Sequence, residues 1–155
     1  VRISNPQRIV VIGPSNYYDP SSLDKLIMPA DPYLMVTFHS YTPYKFTHQG
    51  APWADPALPV GVKCCNSAQR EDMSKDVLQA SRWSSANGYP IFLGEFGAYS
   101  SADMNSRVSY TQTMRQLTED AHMPWVYWDF ASNFGVYDPA TKTFRSQLLT
   151  ALISR

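Results

Sequence analysis

Four short apolar runs recur along this chain, and a helix-forming stretch follows each of them. The runs are Arg8 to Gly13 (RIVVIG), Tyr33 to Phe38 (YLMVTF), Ile91 to Gly94 (IFLG) and Pro124 to Phe130 (PWVYWDF). Each is too short for a helix and carries β-branched or aromatic residues on the way to a polar or glycine stop, so each reads as a buried strand. Ser21 to Leu26 starts a short helix with Ser21 or Ser22 as its N-cap. Residues from about Gln69 to Asn87 place Met73, Val77, Leu78, Ala80 and Trp83 at helical spacing, and Gly88 closes that helix. Two more helices are expected, from about Asp103 to His122 and from about Arg145 to Ile153. Strand and helix thus alternate four times. Such alternation implies an α/β fold with a parallel sheet, right-handed crossovers and cover on both sheet faces. The 155 residues read as one domain, 1–155.

The chemistry gathers where the strands end. The third run continues into Gly94, Glu95, Phe96 and Gly97, which puts one carboxylate between two glycines at the C-terminal end of a buried strand. Asn16, Tyr17 and Tyr18 follow the first strand, and His39 and Tyr41 follow the second. Trp128, Asp129 and Asn133 lie in and after the fourth. A parallel sheet collects all of these on one rim, the end at which α/β folds place their reactive groups. The segment from His39 to about Pro59 is rich in aromatics and proline and exceeds 20 residues. It reads as a functional loop without regular structure.

Composition narrows the partner. Charged residues make up 17% of the chain, aromatic residues 14%, and the net charge is zero. There is no basic patch for nucleic acid and no apolar run near the roughly 20 residues of a membrane helix. No signal peptide opens the sequence. Rings without charge suit flat, neutral, hydroxylated ligands. Cys64 and Cys65 are adjacent and are expected to be unbridged loop or packing residues. The three histidines, at 39, 48 and 122, lack metal-ligand spacing. No metal or cofactor is expected. The turns of nucleotide-binding folds and the nucleophile elbow of serine hydrolases are absent.

A carboxylate nucleophile, hydrogen-bonding partners and aromatic platforms are what glycoside hydrolysis asks for. In that reading Glu95 attacks, Tyr41 donates to it, and His39 bonds a sugar hydroxyl or orients the acid. Trp128 and Trp53 stack on pyranose rings, with Asn16, Tyr17 and Asn133 as further binding groups. RIVVIGPSNYY, FHSYTPYKFTHQGAPW, PIFLGEFGAY and WVYWDF with FGVYD occur in that order between residues 8 and 138. Together they resemble the C-terminal half of the catalytic domain of glycoside hydrolase family 5, the endoglucanase-type cellulases. The resemblance implies a (β/α)8 barrel in the parent, retaining chemistry, a β-1,4-glucan substrate and an extracellular setting. It matches His39 and Tyr41 to the family's H-x-Y pair, Glu95 to the nucleophile and Trp128 to the stacking tryptophan of the −1 subsite. Trp53 falls in a loop that similar enzymes use for sugar contacts.

One element of the family pattern is not in these residues. The family's acid/base glutamate sits in an Asn-Glu pair after the fourth barrel strand, and no Asn-Glu dipeptide occurs here. Glu71 and Glu119, the other two glutamates, lie in helical segments and read as solvated surface. The chain therefore reads as strands five to eight, a half-barrel. Four parallel strands cannot close on themselves, so a two-fold homodimer of half-barrels is expected to pair the open edges. The alternative is a half-barrel that binds glucan without cleaving it.

Overall fold

The computed structural model describes residues 1–154. Its core is a parallel sheet, β1 (Val10–Ile12), β2 (Leu34–His39) and β3 (Ile91–Glu95), in that spatial order. Val10 pairs with Leu34 and Val36 with Ile91, so β2 lies in the middle. The fourth expected strand forms no regular ladder. It still runs parallel to β3 through a bridge between Leu93 and Trp125. Leu93 N–H donates to the Pro124 carbonyl (3.0 Å), Val126 N–H to Leu93 (2.8 Å) and Trp128 N–H to Phe96 (2.9 Å). Pro124 has no N–H to offer, and the backbone turns away after Trp128, which shortens the pairing.

Helices complete the units. A 3₁₀ helix, Pro20–Lys25, follows β1 after a turn at α1 (Ser15–Tyr18). A single helical turn, α2 (Tyr44–Thr47), interrupts the proline-rich segment that was expected to lack regular structure. The long helices are α3 (Ser67–Asn87) and α4 (Met104–Asp120), and α5 (Ser146–Ile153) is the last element among the described residues. Asn66 caps α3 in a reciprocal box with Gln69, and Gly88 takes φ 74° at its C-terminus. A two-stranded antiparallel hairpin, β4 (Tyr137–Asp138) and β5 (Thr143–Phe144), joins the last βα pair and was not foreseen. Each of its strands has two residues, too few to show a period.

The sheet packs against α3 and α4 through a dry layer. Val36, Phe38 and Leu93 from the strands meet Met73, Val77 and Ala80 of α3 and Tyr110 and Met114 of α4. All are at most 2% exposed. The opposite sheet face and outer edges are open: Val11 and Val126 are about half exposed.

The cysteines differ from expectation. Cys64 and Cys65 form a disulfide with each other. The peptide between them is cis and the Cα atoms stand 3.0 Å apart. Both residues do lie in a loop and pack against the core.

Candidate active site

Glu95 ends β3 on the sheet rim, with its side chain partly exposed. The Tyr41 hydroxyl donates to its Oε2 at 2.8 Å. His39 Nδ1 lies 3.4 Å from the same oxygen. The meeting depends on a register shift between Phe38 and His39, which brings His39 opposite Glu95. Gly94 makes room for it, since a Cβ there would strike Thr37 Oγ1 and crowd the His39 ring. No other donor among the described residues reaches the carboxylate, so Oε1 is free to meet a ligand.

The electrostatics follow from burial. Tyr41 is pushed far above the ordinary phenol range, first by burial and then by its hydrogen bond to Glu95. It therefore stays protonated and remains a donor. His39 is shifted down, because burial outweighs the pull of the Glu95 charge. The His39–Glu95 contact is consequently a neutral imidazole against a carboxylate at neutral pH, and not an ion pair.

Aromatic rings surround this pair. Tyr18 packs its ring on His39 at 4.6 Å between centroids. Asn16, Tyr17 and Tyr18 all have positive φ (58°, 56° and 64°). Left-handed backbone costs such residues about 1–2 kcal/mol each, and the turn carries Tyr18 back onto the rim. Gly13 is required beneath it, because a Cβ would enter the Tyr18 ring. Tyr17 itself points out and is 91% exposed. Asn16 is also exposed. Neither is brought to Glu95 by a hydrogen bond or ring contact.

A second aromatic group continues from Tyr41. Its ring meets His48 edge-on at 4.9 Å, and Tyr44 stacks on the other side of His48 at 4.3 Å. Trp53 contacts His48, Phe134 and Tyr99. More than half of Trp53 is exposed, so its ring is both seated and accessible. Asn133 reaches the Tyr99 hydroxyl at 3.4 Å. Trp128, 44% exposed, stands at the end of the fourth run beside Gly97, where a Cβ would collide with its carbonyl oxygen. The Trp128–Asp129 peptide is cis.

Glu95, Tyr41 and His39 thus form one contact set, Trp53 and Asn133 join it through intervening rings, and the Trp128 backbone bonds Phe96, the residue after Glu95. Tyr18, Tyr44, His48 and Phe134 belong to the rim but were not singled out as site residues. His48 and Tyr44 lie in quoted motifs, and Tyr18 in the first strand-end group. Only the fold shows that their rings touch. Glu71 and Glu119 are elsewhere: Glu71 pairs with Lys75, and Glu119 with Arg115 and the Trp125 indole. Among the described residues no cluster of three His, Cys, Asp or Glu could hold a metal, and no helix is long and apolar enough to cross a membrane.

A carboxylate held by one oxygen on a parallel-sheet rim, with aromatic rings packed around its two partners, is compatible with a glycoside hydrolase on an α/β scaffold. Comparison with known proteins is specific on this point. The model of the family described as Cellulase (glycosyl hydrolase family 5) matches residues 1–134. This chain belongs to that family. Endoglucanase H of Acetivibrio thermocellus is 31% identical over 163 residues, covering 99% of this chain and 17% of that protein. Among solved structures, a hyperthermophilic endo-β-1,4-glucanase in complex with substrate is 42% identical with a TM-score of 0.94. The alignment covers 99% of this chain and 50% of that one. Thermotoga maritima Cel5A with cellobiose gives 37% and 0.88, over 92% and 47% of the two chains. The α/β fold matches these barrel endoglucanases, and the chain spans about half the length of the solved structures it matches.

Proposed function

We propose that these residues supply the nucleophile side of a retaining β-1,4-glucanase site. The observation that carries the reading is Glu95, with Oε2 engaged by Tyr41 and His39 and Oε1 open. Oε1 attacks the anomeric carbon and a glycosyl ester forms. The glycosidic C–O bond breaks, and its oxygen leaves with a proton from a second carboxyl group. Water then cleaves the ester and returns Glu95. Tyr41, locked in its protonated state, orients the carboxylate. Trp128 and Trp53 offer faces to successive glucose rings. Tyr44, Tyr99 and Asn133 border the Trp53 platform. Neither Glu71 nor Glu119 serves as the proton donor, since each is paired elsewhere. A polymeric substrate places the reaction outside the cell.

A glycoside whose leaving group needs no proton tests the nucleophile separately. 2,4-Dinitrophenyl 2-deoxy-2-fluoro-β-cellobioside should add one fluorocellobiosyl unit to the peptide that contains Glu95, seen by mass spectrometry. Labelling elsewhere, or labelling that survives Glu95→Gln, overturns the assignment.

The 155 residues taken alone form a half-barrel, and a second copy is the simplest cover for its open edges and for Val11 and Val126. Sedimentation equilibrium should then return a dimer mass; a stable monomer refutes it. Alone, the chain binds glucan without turnover, a reading favoured by two exposed indoles. Cellotetraose should bind in calorimetry and remain intact by chromatography.

A further inference from the structure

β2 leaves its ladder just where the site begins. After the register shift at His39, Ser40 is tied to the sheet by its N–H to the Glu95 carbonyl, at 3.0 Å. Regular pairing no longer holds residues 40–42, yet Tyr41 must keep its hydroxyl 2.8 Å from Glu95. Side chains take over. Ser40 Oγ donates to Asp76 Oδ2 at 2.7 Å, and the Tyr110 hydroxyl donates to the Ser40 carbonyl at 3.1 Å. Thr47 Oγ1 donates to the Tyr41 carbonyl at 2.6 Å. The Thr42 hydroxyl also acts on the Asp76 carboxyl, holding its pKa down.

Asp76 is the unexpected member. It sits on α3, away from the substrate rim. No cation pairs with it among the described residues, whereas its neighbour Asp72 pairs with Lys75 in the open. Burial shifts the Asp76 carboxyl upward against the opposing pull of the two hydroxyls. A desolvated carboxylate without a cation does not stabilise a helix. What it does hold is the stretch between His39 and Thr42.

We infer that Asp76 is a positioning residue: through Ser40 it fixes the segment that presses His39 and Tyr41 against Glu95. The mechanical part stands on this geometry; its catalytic meaning rests on Glu95 being the nucleophile.

The test is a double-mutant cycle read at His39. The groups facing that imidazole are the Glu95 carboxylate and the Tyr18 ring. Ser40→Ala, Asp76→Ala and the double variant are compared by NMR titration of the His39 ring. Asp76→Asn is included in case the alanine variant misfolds, and Asp72→Ala as the helix control. Freeing segment 40–42 changes both the hydration of His39 and its distance from the Glu95 charge, which act in opposite directions, so each single variant should move the His39 midpoint. The double variant should add nothing, as for two ends of one contact. Asp72→Ala should leave His39 unmoved. An unchanged midpoint in both single variants, or shifts that sum in the double, overturns the inference. Fluorocellobioside labelling separates the two claims. A moved His39 with no label on Glu95 removes the nucleophile reading and keeps the positioning role. A labelled Glu95 with an unmoved His39 does the reverse.

Discussion

Acidifying the protein from pH 8 to pH 5 should weaken its fold, with His48 as the main cause. This imidazole is 9% exposed, lies between the rings of Tyr41 and Tyr44, and has Nδ1 3.0 Å from Thr47 Oγ1. Burial takes its pKa from 6.5 down to about 4. The native state therefore keeps it neutral while the unfolded chain binds a proton below pH 6.5. Stability is complete above 6.5, falls as pH drops towards 4, and loses no more from this group below that. At about 1.36 kcal/mol per unit the whole effect is at most about 3.4 kcal/mol, of which about 2 kcal/mol has gone by pH 5. Carboxylates held low, Asp31 and Asp103, lose their contribution only at more acid pH. His39 is shifted the same way as His48, so the contribution must be isolated by difference. Urea unfolding of the wild type and His48→Gln at pH 8 and pH 5 does this. The wild type should lose about 2 kcal/mol more than the variant over that interval. Equal losses would refute the reasoning.

Tyr41→Phe removes a hydrogen bond to a charged group, about 1.5–3 kcal/mol, and should slow Glu95 labelling by roughly 10- to 100-fold while the protein stays folded by circular dichroism. Trp53→Ala should weaken cellotetraose binding by roughly threefold to tenfold, in line with about 0.5–1.5 kcal/mol for a stacked ring. Its thermal melt should hardly move, because most of the ring is exposed. Gly97→Ala drives a methyl group into the Trp128 carbonyl and should cost about 1–3 kcal/mol in denaturant unfolding. Leu93→Ala, at a fully buried position in the central layer, should cost about 2–5 kcal/mol by the same measurement.

Much of the fold is legible because its signals are local. The apolar run at 8–13 contains β1, the runs at 33–38 and 91–94 contain all but the last residue of β2 and β3, and the spacing of Met73, Val77 and Ala80 marks the face that α3 buries. The hairpin at 137–144 escaped because two-residue strands have no periodicity. The fourth strand was overextended because PWVYWDF is apolar throughout, while its pairing depends on where β3 stops offering partners. Residue identity does not carry the Cys64–Cys65 bridge.

For the site, sequence alone determined the family, the order of the strands and the rim on which a carboxylate, a phenol, an imidazole and two indoles must collect. Those follow from short-range pattern and from the topology it enforces. Which oxygen of Glu95 is engaged, that Tyr18 and not Tyr17 lies on His39, and that Asp76 steadies Ser40 were decided by the tertiary structure. Such contacts join residues 21 to 56 positions apart, so no local rule encodes them; they exist only once burial, register and backbone turns have set the distances.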